Sequence, residues 1–196
     1  MSVGMDLPAA PTDPAVFIEH ALRRLETGVT DRRSPFHVIG LSTVAPTGLP
    51  RARSVVLRDC AAGEIRFHTD RRSAKCTELA ADPRAAMLAY AAVDRLQIRA
   101  EGLVALHTGN PVAEAAWQNL GPSGREIYRT AAVPGAAVAA DRADRLAEAA
   151  AIIHFTVAVM RFDVVDVLSL RSDGHQRASC RFDAAGRVTE AVFITA

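Results

Sequence analysis

The residues best suited to chemistry fall in one stretch, Arg51–Lys75. Arg51, Arg53, Val55 and Leu57 alternate with Ala52, Ser54, Val56 and Arg58. Side chains of a strand point to opposite faces in turn, so this period reads as a β-strand. Asp59–Gly63 reads as a turn, and Glu64–Thr69 as a second short strand with Ile65 and Phe67 on its apolar face. Asp70-Arg71-Arg72 follow, and Ser73 opens a helix whose first turn carries Lys75. A helix N-terminus exposes unpaired N–H groups and the positive end of its dipole, which favours anions. Arg53 and Lys75 can close round the same point, and that chemistry suits a phosphate. The same residues also describe a surface hairpin with solvated arginines and a Ser73 N-cap, because short anion motifs match by chance often.

Composition narrows the classes. The chain has 196 residues, 49% hydrophobic and 23% charged, with a formal net charge of +1. That length suits a single domain over residues 1–196 with one sizeable core, its Pro- and Ala-rich residues 1–12 loose. Near-neutral charge demands neither nucleic acid nor a membrane surface. Cys60, Cys76 and Cys180 are odd in number and widely spaced. They form neither a disulfide framework nor a metal-ligand set, so no metal and a reducing cytoplasm are expected. The N-terminus lacks the basic and apolar regions of a secretory signal, and no apolar run reaches the ~18 residues of a membrane helix. Lys75 is the only lysine.

The elements that position the stretch follow from periodicity and breakers. Asp13-Pro14 opens a helix with Phe17, Ala21, Leu22 and Leu25 as its stripe, and Gly28 is expected to stop it. Strands are expected at 36–44, 51–58, 64–69, 84–92 and 95–107, the first two joined by Ala45–Gly48. Gln97 lies among Leu96, Ile98 and Ala100, and period two permits it an outward-facing surface position. Asn110–Leu120 reads as a helix, Gly121–Arg125 as a loop or a new helix start, and Asp141–Ala151 as a helix capped by Asp141. Strands then follow at 154–162, 164–170, 176–182 and 188–195, with turns at Ser172–Gly174 and Asp183–Gly186. About eight strands joined by short turns, with about four inserted helices, point to an antiparallel α+β barrel. No GxGxxG follows a strand, which weighs against a Rossmann site.

At this point the motifs resemble a known family, the pyridoxamine 5′-phosphate oxidases. Arg53–Arg58 is similar to the family's R-x-V-L-L-K, and Phe67–Lys75 to its F-Y-T-N-x-x-S-R-K. Glu78–Ala85 is similar to E-L-x-x-N-P-x-A, and Asp94–Gly102 to E-R-Q-V-R-V-x-G, with Gln97 on the family's Gln. The four motifs keep order and spacing over residues 36 to 107. The C-terminal third matches loosely, through His175-Gln176-Arg177-Ala178.

The resemblance implies an α+β fold: an antiparallel FMN-binding split β-barrel of six to eight strands with peripheral helices, working as a homodimer with FMN at the subunit interface. It implies that Arg53 and Lys75 pair with the FMN phosphate, and that Ser73 and Thr69 add hydroxyls. The backbone of Ser54, Val55 and Val56 would run along the isoalloxazine, Gln97 would reach the ring edge, and His68, standing where the family has Tyr, would also contact the cofactor, partly through its backbone. Departures bear on the substrate. Ala74 stands at the family's Arg, leaving Arg71 or Arg72 to substitute. Arg58 stands at the Lys that holds the substrate phosphate. The R-L-H-D-R segment is replaced by His175-Gln176-Arg177-Ala178-Ser179, and Val167-Leu168 stands where the family has a Trp. Trp117–Arg125 resembles W-x-x-L-x-x-x-x-R; Trp117 reads as core or interface, and Arg125 as a candidate substrate contact from a second subunit.

The implied activity is an FMN-dependent oxidoreductase moving hydride to or from flavin N5 on a small molecule, with Arg58, Arg125, His175 and Arg177 as candidate substrate residues. The alternative is a non-catalytic FMN carrier or sensor on the same fold, favoured by the altered C-terminal segment. A nucleic-acid-binding barrel is a third reading, opposed by the neutral charge and the scarcity of aromatic residues for stacking.

Overall fold

The computed structural model describes residues 11–61, 63–137, 144–171 and 174–196. The strands are β1 Val38–Val44, β2 Pro50–Ala61, β3 Glu64–Asp70, β4 Arg84–Ala91, β5 Leu96–His107, β6 Phe155–Arg171, β7 Gly174–Phe182 and β8 Val188–Ile194. The helices are α1 Pro14–Thr30, α2 Ala74–Ala81, α3 Pro111–Gln118, α4 Pro122–Glu126 and α5 Glu148–Ala151. Every strand pair is antiparallel, in the order β3-β2-β1-β4-β5-β6-β7-β8, and β3 also pairs with β6. That closure makes a six-stranded barrel, and β7 and β8 extend the sheet beyond it. The architecture is the α+β split barrel that the motifs imply.

α1 covers one side of the barrel. Asp13 caps it by accepting from the Ala15 N–H at 2.8 Å, and Phe17, Ile18, Ala21 and Leu25 are buried. The helix runs two residues past Gly28, its expected stop. Gly28 is there for a different reason: a Cβ at this position would lie 2.4 Å from the Phe36 carbonyl oxygen. The residue lets the chain entering β1 pass against the helix.

β6 corrects the reading of separate strands at 154–162 and 164–170. It is one strand with a bulge. Pairing to β5 steps from Phe162–Gly102 to Val164–Glu101, which leaves Asp163 unpaired. One extra residue reverses the period-two parity. Ala158, Met160 and Phe162 face the core before it, and Val165 and Val167 after it. The phase change visible in the sequence is therefore a bulge and not a break. Opposite it, a Cβ on Gly102 would lie 1.9 Å from the Arg161 carbonyl oxygen.

Two further boundaries move. Asp59–Ala61, expected as a turn, continue β2, because a bulge between Leu57 and Asp59 lets the strand keep pairing with β3. Gly63, at φ +74°, makes the reversal. Of the helix expected over 141–151, the described residues 144–151 are helical only at Glu148–Ala151, and the proposed cap Asp141 lies outside the described residues. Residues 144–146 instead pair backbone to backbone with the 129–131 segment: Ala131 N–H donates to the Asp144 carbonyl and Leu146 N–H to that of Arg129. Tertiary pairing overrides local helix propensity there. Gly121–Arg125 resolves as the start of α4, with Gly121 at the N-cap.

A second, smaller core lies outside the barrel. Ala113, Trp117, Tyr128, Ala151, Phe155 and Val157 pack together where α3 crosses β6. Trp117 is a core residue here. Phe155 is its centre, with ring contacts to Trp117 at 5.3 Å, Tyr128 at 5.1 Å and His68 at 4.9 Å.

Candidate functional site

The barrel is split beside Leu57. β2 pairs with β3 only as far as Leu57–Phe67. Beyond that point Pro50–Val56 pair with β1 alone, while His68–Asp70 pair with β6 alone. The two strands splay, and α2 starts at the opening. The strand edge at Ser54, Val55 and Val56 thus has no strand partner on its β3 side among the described residues. The Val55 side chain is buried in the core, so the backbone is what this segment offers.

At the split, Thr69, Ser73 and Lys75 form one cluster. The Lys75 ammonium donates to Thr69 Oγ1 at 3.1 Å and Ser73 Oγ at 3.2 Å, and the two hydroxyls lie 3.2 Å apart. The surface-hairpin reading needs Ser73 to cap α2, and it does not. Ser73 occupies the N-cap position without a side-chain cap bond, and the first turn contains no acid. The positive end of α2 is left for another anion.

The electrostatics point the same way. Burial lowers the Lys75 pKa, and the nearby Arg53 charge lowers it further. The Asp70 and Glu78 charges act the other way on Lys75, so the repulsion between the two cations is partly relieved within the protein. Arg53 makes an ion pair with Glu78 at 2.6 Å, and Thr43 donates to the same Glu78 oxygen at 2.5 Å. Glu78 is 3% exposed and Thr43 2% exposed. Desolvation pushes the Glu78 carboxyl up, but the Thr43 and Arg53 hydrogen bonds and the arginine charges outweigh it, and the pKa lies below the usual carboxylate range. Sequence reasoning missed Glu78 and Thr43 as site residues. Helical spacing gave no signal for Glu78, because it lies about 160° round α2 from Cys76 and about 100° from Leu79, and only the fold buries all three.

The outer face of the barrel carries Gln97. Cross-strand pairing joins it in one row with Tyr90, Leu168 and Arg177 and pairs Val38 with Val56; continuing the β1–β4 register two residues beyond Gly40–Leu88 brings Val38 level with Tyr90. Three strand spacings separate Val56 from Gln97, about 14 Å along the sheet. Val38, Leu88 and Tyr90 lie on this face and are 50%, 47% and 46% exposed.

A separate cavity lies between the barrel and α3. It holds about 430 Å³ and is lined on one side by Arg58, Asp59, Arg66 and His68. Val112, Ala115, Ala116, Leu120 and Val157 supply an apolar wall. The β2 bulge leaves Arg58 unpaired in the ladder, which aims a side chain away from the regular alternation. Arg58 has no ion-pair or hydrogen-bond partner among the described residues, whereas Arg66 is held by Glu64 at 2.7 Å. Burial, with the Arg58 charge, lowers the His68 pKa to about 4, so its imidazole is neutral near pH 7. Its Nδ1 is buried with no partner.

The remaining candidates are engaged elsewhere. Arg72 does not stand in at the phosphate cluster: it grips Asp70 at 2.7 Å and donates to the Thr130 and Ala131 carbonyls, tying that loop to β3. Arg125 lies over the Trp117 ring, pairs with Glu148 at 2.9 Å and donates to the Trp117 and Gln118 carbonyls. Arg177 is bound by Asp166 at 2.7 Å, with Arg99 on the same carboxylate. His175 is exposed on β7. The structure therefore brings Arg53, Thr69, Ser73 and Lys75 together beside the Ser54–Val56 edge, and Arg58 beside His68. It does not gather Arg125, His175 and Arg177 with either group.

Comparison with known proteins agrees with this geometry. Residues 19–108 match the family described as pyridoxamine 5′-phosphate oxidase, FMN-binding domain. A pyridoxine/pyridoxamine 5′-phosphate oxidase of Microcystis aeruginosa is 39% identical over 80 residues, 41% of this chain and 37% of that protein. Its counterpart from Rhodopseudomonas palustris is 34% identical over 110 residues, 56% of this chain and 47% of that protein. The matched stretch thus spans less than half the length of these two relatives. A pyridoxamine 5′-phosphate oxidase-related, FMN-binding protein from Nostoc punctiforme superposes with a TM-score of 0.75 at 25% identity, over 96% of this chain and 99% of that one. PhzG from Burkholderia lata, solved with tetrahydrophenazine-1-carboxylic acid, shares the fold with a TM-score of 0.69 at 16% identity, over the full length of both chains.

Proposed function

We propose that this protein is an FMN-dependent oxidoreductase acting on a small acidic molecule, a reading supported by the match of residues 19–108 to the pyridoxamine 5′-phosphate oxidase FMN-binding domain. The residues at the split fit the cofactor. A phosphate monoester satisfies two neighbouring cations, two hydroxyls and an uncapped helix start at once. In this reading Lys75, Arg53, Ser73 and Thr69 hold the phosphate, the Ser54–Val56 edge offers backbone groups to the ring, and Gln97 meets a ring edge. FMN supplies two-electron chemistry at its N5 when bound. The protein's own part is to bind, orient and exclude water.

The substrate reading rests on the second cavity. Arg58 supplies a charge for a carboxylate or phosphate, and the α3 wall accepts an apolar body. Neutral His68 offers a hydrogen bond without adding charge. A homodimer fits the exposed apolar face of Val38, Leu88 and Tyr90. A reducing cytoplasm fits three separate buried thiols.

The observation that carries the proposal is the Arg53–Lys75 pair at an uncapped helix start. The purified protein is expected to bind FMN stoichiometrically, and Lys75→Ala to weaken it about tenfold to a hundredfold in a fluorescence titration, the loss of one or two charge-assisted bonds. Equal FMN affinity in the variant defeats the phosphate assignment. Turnover assays with pyridoxamine 5′-phosphate and with NADPH then divide the enzyme from its alternative, a non-catalytic FMN carrier. That alternative is favoured by one observation: Arg125 and Arg177 are spent on internal contacts.

A further inference from the structure

Arg53 is not a freely moving cation, and what holds it has a direction. The planar guanidinium has five N–H groups in a fixed fork. Nη1 donates to Thr43 Oγ1 and, at 3.3 Å, to the Arg51 carbonyl. Nη2 donates to Glu78 Oε2 at 2.6 Å. Thr43 completes a closed triangle by donating to that same Glu78 oxygen at 2.5 Å. The Nε–H and the second Nη2–H have no partner among the described residues. These two lie on one edge of the guanidinium plane, the geometry that binds a tetrahedral or planar oxyanion with two parallel bonds.

The cost of this arrangement argues for a purpose. A carboxylate 3% exposed and a threonine 2% exposed have been brought to the barrel mouth, where burying either needs full compensation. An apolar pair would close the barrel end without it. A carboxylate beside a phosphate site also opposes the phosphate electrostatically. Charge alone therefore does not explain Glu78; direction does.

We infer that Glu78 and Thr43 are positioning residues that lock the Arg53 guanidinium with its Nε–Nη2 edge turned to the cofactor phosphate. The inference rests on the FMN reading above and adds a division of labour to it. Lys75 supplies a point charge with three rotatable donors, and Arg53 supplies a fixed two-pronged donor whose angle is set by Glu78 and Thr43. The pair then selects for a phosphate at one orientation and not merely for negative charge.

The test compares FMN with riboflavin, which differs only in lacking the phosphate. Apoprotein of the wild type, Glu78→Gln, Thr43→Val and Thr43→Ser is titrated with each flavin, and thermal unfolding of each apoprotein is recorded beside it. Glu78→Gln and Thr43→Val are near-isosteric, so both are expected to fold. Each is expected to lose about tenfold in FMN affinity with riboflavin affinity unchanged, and Thr43→Ser, which keeps the hydroxyl, to bind like the wild type. Equal losses for both flavins mean a structural role and overturn the inference. Unchanged or tighter FMN binding by Glu78→Gln also overturns it, because Glu78 then only neutralises Arg53. A wild type that does not prefer FMN to riboflavin defeats the FMN reading itself, and this inference with it.

Discussion

Thr69 and His68 are consecutive residues of β3 and face opposite kinds of surroundings. Thr69 points to the barrel mouth, into a cluster whose side chains hold one another in place: Lys75 donates to two hydroxyls, and Arg53 and Thr43 both donate to Glu78. His68 points outward, into a cavity where Arg58 has no ion partner among the described residues and the facing wall is aliphatic. The first site is preorganised for one ligand shape. The second supplies charge and space, and leaves selectivity to what fills it. Under the function proposed above, that difference suits a resident cofactor and an exchanging substrate, since preorganisation lowers the ordering cost of a ligand that stays.

Three predictions bear on this comparison. The largest effect should come from Phe155→Ala. Phe155 is fully buried and is the common ring contact of His68, Trp117 and Tyr128. Its loss should cost about 3–5 kcal/mol in urea unfolding and open the outer cavity, while FMN affinity changes little. A parallel collapse of FMN binding would show that the two sites are one.

A smaller effect is expected from Arg58→Ala. Benzoate carries a carboxylate on an apolar ring, as the cavity requires, and calorimetric titration should show it binding about tenfold more weakly to the variant. FMN affinity should not move. If the FMN titration shifts instead, Arg58 belongs to the cofactor site.

The smallest effect is a pH dependence that differs between the sites. His68 has its pKa lowered from 6.5 to about 4, so the unfolded chain binds more protons than the folded one between those values. Stability from neutral His68 is therefore full above about pH 6.5 and lost as pH falls towards 4. Glu78 is also lowered, so its contribution persists through that window and is lost only when pH falls through its depressed folded value. His68→Gln should flatten the stability slope between pH 6.5 and 4 and leave the steeper acid limb in place. An unchanged slope would place the titrating group elsewhere.

Much of the molecule was readable from local pattern. Alternation at Arg51–Leu57 placed Arg53 and Val55 on one face, and the Ser73–Lys75 helix start was legible as a place whose exposed N–H groups favour an anion. The phase of the apolar residues around Asp163 held the bulge, although it reads equally as a break. The helix expected at 141–151 is interrupted at residues 144–146, whose backbone finds partners on the 129–131 segment, which no local propensity reports. Arg72 and Arg125 look like free cations in the sequence; the carbonyls that occupy them belong to loops and helix ends whose approach is set by the fold.

By itself, the sequence determined which residue types stand at which period, and hence the strands, the helix starts and the stretch able to meet a phosphate. Those are short-range properties, set by side-chain alternation and by the N–H groups a helix must leave unpaired. Only the tertiary structure decided that β3 leaves β2 at Leu57 and closes on β6, that the mouth so opened receives Glu78 and Thr43, and that Arg58 turns to the α3 cavity. Each of these depends on segments distant in the chain meeting in one register, and a register is chosen by the packing of the whole barrel.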